Sequence, residues 1–395
     1  MGVFLLHRHK HNRLLEGTVM KRALLGLAGA LMSLTLGVSA HAADTIKIGV
    51  AGAHSGDLAS YGVPSLNAAK IVADKVNKAG GINGKMIELV TGDDQCKPEL
   101  ATNVATKLIS DKAAVVMGHI CSGATKASLA LYNEAHVLSI SPSATTPALT
   151  NGSNPMFLRT IAKDDSQARV TSEFMLKELK VKKVAYLHDN GDYGKGFADM
   201  NRANMEKAGV ETVLFEAITP DAVDFSSIVK KLRHAKADIL VFGGYQPTAS
   251  KLLQQMRRAK VMTPVIGPDG LKDEAFIKMA GKEVAEGVYC SYPKDTSSLP
   301  LYKEATQDHI NMFKTEPGSF YYFAYSAMLC IVNAIKEAGS TDTDKMLEVL
   351  HTKHVDTPIG SLVFNKSGDA AGLGMSIYVI KDGKFQETDY SITID

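Results

Sequence analysis

The chain has 395 residues, 45% of them hydrophobic, with 44 Lys or Arg against 42 Asp or Glu. That balance excludes a strongly basic nucleic-acid or membrane-surface protein, and the length exceeds what one hydrophobic core usually supports, so two domains are expected. The charge is unevenly placed: residues 1–42 hold five Lys/Arg and one Glu, which leaves the remaining 353 residues with 39 basic and 41 acidic groups, a net of −2.

Met20-Lys21-Arg22 opens a basic segment, Ala23 to Val38 runs without a charge, and Ala40-His41-Ala42 follows with small residues where a signal peptidase reads. This order predicts a secretory signal peptide cleaved after Ala42, and therefore export to the periplasm. The 16-residue apolar run is short of the ~20 a membrane-spanning helix needs. No Cys stands at the cleavage site to carry a lipid anchor. Residues 1–19, with His7, Arg8, His9, Lys10, His11 and Arg13, read as an upstream extension from a misassigned start codon or as a long charged leader.

From residue 45 onward strands and helices alternate. Thr45–Val50 alternates polar and apolar residues and predicts a strand; Pro64–Lys78 places Ala69, Val72, Ala73 and Val76 on one helical face. Met86–Val90 is a second strand, Glu99–Ser110 a helix, and Ala113–Met117 an apolar run of the kind buried in parallel sheets. A helix over 123–135 and a strand over 137–141 complete the first series, whose crossovers are expected to be right-handed. The pattern then restarts: strands at 183–188, 212–217, 237–242 and 264–266 alternate with helices at 194–208, 225–235, 247–259 and 273–280. Beyond a strand at 287–291 the chain turns helical (300–314, 320–338, 344–351), and 360–394 reads as short β segments. The fold class is α/β, two doubly wound halves of similar size.

Catalytic signatures are missing. Gly52-Ala53-His54-Ser55-Gly56 has the wrong spacing for a nucleophile elbow, Gly191–Gly196 matches neither phosphate-loop pattern, and there is no H-E-x-x-H. No metal or cofactor is expected. Cys96 and Cys121 are 25 apart, each just after a predicted strand of the same half; in an exported chain they are expected to bond, the alternative being two buried thiols. Cys290 and Cys330 are expected to stay unpaired.

Polar residues recur at the C-terminal ends of strands, where open α/β sheets bind ligands. Ser122 is expected at a helix N-cap, where it serves either to cap the helix or to help free N–H groups hold a carboxylate. Ser143, Ala144 and Thr145 lie in Ser141–Pro147, a loop fixed by two prolines and equally compatible with ordinary turn chemistry. Tyr193 and Tyr245 follow two other strands as rigid walls with one polar tip each, and Tyr61, after the first strand, either offers its ring to an apolar side chain or packs on the surface. Asp269, in Gly267-Pro268-Asp269-Gly270, either neutralises an ammonium or is the acid of a turn.

Taken in order, IKIGVAGAHSGDLASYG, AGGINGKMIELVTGDDQCKPELA, GHICSGAT, SISPSATTPALT, LHDNGDYGKG, VFGGYQPTAS, IGPDG and AEGVYCSYPKD resemble the periplasmic leucine/isoleucine/valine-binding proteins of branched-chain amino acid ABC transporters. The resemblance implies two α/β lobes joined by three crossing segments. The N-terminal lobe would be 43–161 plus 293–373, and the C-terminal lobe 162–292 plus 374–395. It implies a monomer that captures an amino acid by hinge closure and delivers it to membrane permease subunits, with no enzymatic activity. Ser122 and Thr145 would bind the ligand carboxylate, with Ser143 and Ala144 in the same loop. Asp269 would pair with the ammonium, Tyr193 and Tyr245 would close over the ligand, Tyr61 would touch its side chain, and Cys96–Cys121 would match the family's disulfide. The family's amino-acid binders carry Glu at the position of Asp269 and Ala at that of Ser143. Both departures favour "amino acid" over strictly leucine, isoleucine or valine. An amide, urea or aromatic-acid carrier of the same fold, or a sensor outside transport, is the alternative.

Overall fold

The computed structural model describes residues 45–394; the leader and signal peptide read over 1–42 lie outside the described residues. Strands β1 (Ile46–Gly52), β2 (Ile87–Asp93), β3 (Val115–Met117), β4 (Leu138–Ser141) and β5 (Phe157–Arg159) form a parallel sheet in the order β2-β1-β3-β4-β5. A second sheet is built from β6 (Lys183–His188), β7 (Glu211–Ala217), β8 (Ile239–Gly243), β9 (Val265–Gly267) and β10 (Tyr289–Pro293). After a small ribbon of β11 (Val355–Thr357) and β12 (Gly360–Leu362), β13 (Gly374–Lys381) and β14 (Lys384–Thr393) extend it antiparallel, giving the order β14-β13-β10-β9-β8-β6-β7.

Every residue of β3, β4 and β8 is buried, which is why these strands read as unbroken apolar runs: a parallel sheet is covered on both faces. The covering helices in the first half are α1 (Ala59–Lys78), α2 (Pro98–Ser110) and α3 (Ser122–Ala135). Then come α4 (Asp164–Lys177), α5 (Asp192–Lys207), α6 (Ser226–Ala235), α7 (Gln246–Arg258), α8 (Glu274–Ala280) and α9 (Lys282–Ala285). The last three, α10 (Pro300–Phe313), α11 (Tyr321–Ala338) and α12 (Thr343–Thr352), return to the first sheet, where α10 and α11 pack on α1.

In each sheet the chain reverses its direction of travel beside the first strand: β1 lies between β2 and β3, and β6 between β7 and β8. The crevice of an open α/β sheet opens at that switch point, beyond the carboxyl ends of the strands. The loops after β1, β3 and β4 and those after β6, β8 and β9 are therefore the ones that face a ligand. Two close backbone approaches shape them. A Cβ at Gly62 would sit 1.9 Å from the Ala53 carbonyl, so only glycine lets α1 start against the end of β1. Likewise a Cβ at Gly194 would meet the Gly243 carbonyl at 2.5 Å, so glycine lets α5 approach the end of β8. The residues just before these glycines are Tyr61 and Tyr193.

Most elements lie within a few residues of expectation. Helix α1 starts at Ala59 rather than Pro64: proline favours a first turn, but Pro64 is accommodated, buried, inside the helix. Strand β5 and helix α4 were not anticipated. The buried face of α4 mixes Asp164, Gln167, Thr171 and Ser172 with Ala168, Val170, Phe174 and Met175, so no clean apolar stripe marks it.

Cys96 and Cys121 are joined, their Cα atoms 5.4 Å apart, while Cys290 and Cys330 are free and buried. The bond ties the loop after β2 to the N-cap of α3. Closing 25 residues of chain stabilises by about 3.5 kcal/mol in the chain-entropy model. Cys96→Ser/Cys121→Ser is therefore expected to melt several degrees lower than the parent in a calorimetric scan, and a reductant should shift the parent but not the variant.

Candidate functional site

Helix α3 begins directly after β3 and its loop. Cys121 occupies the N-cap and Ser122 the first helical position, one residue on from expectation. Ser122 Oγ accepts from the backbone N–H groups of Thr145 (3.2 Å) and Thr146 (3.3 Å), which docks the loop after β4 onto the helix start. Ser143 Oγ donates to the Ile120 carbonyl at 2.8 Å. Beneath the loop, fully buried Arg159 donates to the carbonyls of Ala144 and Thr146, each at 3.0 Å, and to Asp369 at 2.7 Å. Two side chains from distant segments thus fix residues 144–146 in one conformation.

Ser122, Ser143, Tyr61, Tyr193, Tyr245 and Asp269 line one narrow cavity of about 10 Å³, together with Ile120, Cys121, Gly270 and Phe320. Of the eight anticipated ligand contacts, Ala144 and Thr145 do not line it. Ala144 is buried with Leu129, Leu149 and Phe157. Thr145 is fully buried, and its Oγ1 has no hydrogen-bond partner.

The opposite wall comes from the second sheet. Asp269, 2% exposed, follows β9; its N–H donates to Gln167 Oε1 at 2.9 Å, and its Oδ1 accepts from the Tyr193 hydroxyl. Its Oδ2 has no partner. The Tyr193 oxygen in turn accepts from Gly270 N–H at 2.9 Å. Burial pushes the Asp269 carboxyl up to about 6, against the Tyr193 and Gln167 hydrogen bonds.

A second carboxyl, missed in the sequence, stands beside it. Asp164, fully buried at the start of α4, receives Gln167 Nε2 on Oδ1 at 2.9 Å and leaves Oδ2 unpartnered. Its backbone N–H donates to the Thr145 carbonyl at 3.0 Å. Burial, and then repulsion from Asp269, holds its pKa well above the usual carboxylate range; the nearby Thr145 hydroxyl opposes this without forming a geometrically complete hydrogen bond. An unpartnered buried polar atom is costly unless something satisfies it. Thr145 Oγ1, Asp164 Oδ2 and Asp269 Oδ2 are three such atoms, one donor and two acceptors. Asp164 and Gln167 were missed because a first-turn acid and a mid-helix Gln are ordinary helix residues, and α4 itself gave no signal.

Tyr61 does more than face a ligand side chain. Its hydroxyl donates to the Gly270 carbonyl at 2.5 Å and accepts from Gln246 N–H at 3.3 Å, so it bridges α1 to loops of the second sheet. Its ring lies 6.1 Å from Tyr245 and 5.6 Å from Phe320. Lys126 on α3 and Asp192 on α5 pair at 2.6 Å across the same crevice. Tyr61→Phe removes two hydrogen bonds that join α1 to Gly270 and Gln246. It is expected to raise the dissociation constant of a bound ligand about tenfold, mainly through faster release, as stopped-flow measurement would read.

The sequence profile of the periplasmic binding protein family matches residues 45–384. The chain belongs to that family. It is 35% identical over 368 residues to an amino acid binding protein of Pseudomonas aeruginosa, spanning 92% of this chain and 97% of that one. A leucine-, isoleucine-, valine-, threonine- and alanine-binding protein of the same organism is 35% identical over 338 residues, 85% of this chain and 90% of its own. Among solved structures, the branched-chain amino acid transporter substrate binding protein LivJ from Streptococcus pneumoniae, in complex with isoleucine, superposes with a TM-score of 0.80 at 29% identity. It covers 89% of this chain and 99% of that one.

Proposed function

We propose that this protein is the periplasmic substrate-binding component of an ABC transporter, capturing an amino acid between its two lobes and presenting it to membrane permease subunits. The observation that carries the reading is the buried Asp269 carboxyl, which lines the cavity with Ser122 and keeps one unpartnered oxygen, beside a second buried acid, Asp164, that also has one. An α-ammonium satisfies both acids. The α-carboxylate takes the helix start, where the first N–H groups lack intrahelical partners, with Ser122. Tyr61, Ile120, Ser143, Tyr193, Tyr245 and Phe320 then surround the side chain.

In this reading residues 1–42 are removed on export and the mature protein works as a monomer. Its lobes are 43–161 with 293–373, and 162–292 with 374–395, and the chain crosses between them three times. Closure brings Asp269 and the two tyrosines of the second lobe over a ligand seated on the first. Excluding water strengthens each charged hydrogen bond. A ligand shifts the lobes toward closure only by binding the closed form better, and the bridging carboxyls supply that difference. Asp269 is one methylene shorter than glutamate and Ser143 adds a hydroxyl, which suits a small or polar side chain as well as a branched one.

Calorimetric titration with leucine, isoleucine, valine, threonine and alanine tests the reading. At least one is expected to bind, and its N-acetyl and carboxamide derivatives are expected to bind at least a hundredfold more weakly, because each removes one charge that the site pairs. Tight binding of acetamide or urea with none of the amino acids would transfer the site to the amide class.

A further inference from the structure

A second cavity, of about 340 Å³, shares no lining residue with the first. That volume falls within the roughly 300–1,000 Å³ typical of small-molecule sites. One wall comes from the first sheet's helical cover: Tyr302 on α10, Ser319 before α11, and Tyr322 and Phe323 on α11. The other comes from the second sheet: Lys272 after β9, Tyr292 on β10 and Tyr378 on β13. Phe320 stands between the two cavities, its ring 5.6 Å from Tyr61 of the first and 6.0 Å from Tyr292 of the second.

Lys272 is the odd group here. Its ammonium lies 4.2 Å from the centre of the Tyr292 ring and 4.7 Å from that of Tyr378. Among the described residues, no hydrogen bond from this ammonium is found and no ion pair within 4.0 Å. Burial lowers its pKa. Two ring faces replace only part of the hydration a cation loses. Opposite it, Tyr302 and Tyr322 stack with centroids 3.7 Å apart and form a flat aromatic wall. Among the described residues the other charged groups on the walls form no close ion pair with Lys272, though Asp295 and Glu274, and Glu387 beyond the walls, attract it from farther off. Glu274, Lys294, Asp295 and Glu316 are exposed, and Asp273 caps α8 by accepting from Ala275 N–H at 2.8 Å.

We propose that this cavity is a second ligand site, for a small aromatic carboxylate that pairs with Lys272 and packs its ring against Tyr302 and Tyr322. A carboxylate gives the ammonium a charged hydrogen-bonded partner that the chain itself does not provide. Because the walls belong to both lobes, an occupant favours the closed form, and by linkage it tightens the first site as the first site's ligand tightens it.

Benzoate is the probe, titrated by calorimetry into the purified mature protein with and without saturating leucine. Wild type is expected to bind it with a dissociation constant below about 1 mM in both conditions. Lys272→Met is expected to lose at least tenfold while Lys272→Arg retains binding, and Tyr245→Ala, in the first cavity, still binds benzoate, weakened only as far as the substitution disfavours closure. Lys272→Gln replaces Lys272→Met if the latter fails to fold. Benzoate that displaces leucine, that binds Lys272→Met like wild type, that is lost in Tyr245→Ala, or that does not bind wild type would each overturn the proposal. The contrast between the Lys272 and Tyr245 variants needs no leucine. A failure of amino-acid binding therefore reads separately from a failure of this second site.

Discussion

Asp269→Asn is expected to raise the dissociation constant of the amino-acid ligand about 10²- to 10³-fold without weakening the fold. Removing one partner of a buried charge pair costs about 3–5 kcal/mol, because the remaining charge stays desolvated; Asp164, still facing the ammonium, limits the loss to the lower part of that range. Stability should move the other way. In the ligand-free protein the Asp269 carboxyl is 2% exposed, has an unpartnered Oδ2 and sits beside a second buried acid, so its ionised form opposes folding. The isosteric amide keeps an acceptor for Tyr193 and removes the charge. The variant's ligand-free melting temperature is therefore expected to equal or exceed the parent's. Near-normal ligand affinity would show that the ammonium does not sit at Asp269.

Acidification should separate affinity from stability through the same residue. Burial raises the Asp269 carboxyl from 3.8 to about 6, and Asp164 is raised as well. An ammonium needs these groups ionised, so binding displaces whatever proton they hold. Affinity is expected to fall about tenfold per pH unit below about 6 as Asp269 takes up a proton, with Asp164, also raised, adding to the dependence where it titrates. The stability sign is opposite. A carboxyl whose folded pKa lies above its unfolded value contributes stability that is fully present below the unfolded pKa and lost as pH rises through the folded one. Between pH 6 and about 4 the ligand-free protein should therefore gain stability from Asp269 while it loses affinity. Calorimetric titrations and melting curves over that range read the two trends separately. In Asp269→Asn the Asp269 part of both should vanish.

The alternation of β1–β4 and β6–β10 with their helices was legible because buried parallel strands are short apolar runs and the helices between them are amphipathic. Placing polar residues at the carboxyl ends of those strands needed only the rule for open α/β sheets. What each residue does there was less legible. Ser122 was anticipated either as a cap or as a carboxylate contact. It lines the cavity, yet its hydroxyl holds Thr145 and Thr146 N–H, so it also builds the loop. Tyr61 was read as a ring for an apolar side chain or a surface residue, and its bond to Gly270 spans 209 residues of sequence that no local pattern joins. Asp164, Gln167 and Arg159 gave no sign, because a buried polar network is defined by partners far apart in the chain. Arg159, for instance, pairs with Asp369 across 210 residues. Asp269 stood out because it sits in a turn at a strand end, whereas Asp164 hides at the start of a helix, where acids are common.

The central claim, that an amino acid is clamped between the lobes, is tested most directly by a thermal-shift screen of the purified mature protein and its Asp269→Asn variant against the standard amino acids. A ligand held at a hundred times its dissociation constant stabilises by about 2.7 kcal/mol, enough to raise the melting temperature by several degrees. The expected result is such a shift with one or a few amino acids in the parent and none with the same compounds in the variant. No shift with any amino acid, or equal shifts in both proteins, would contradict it.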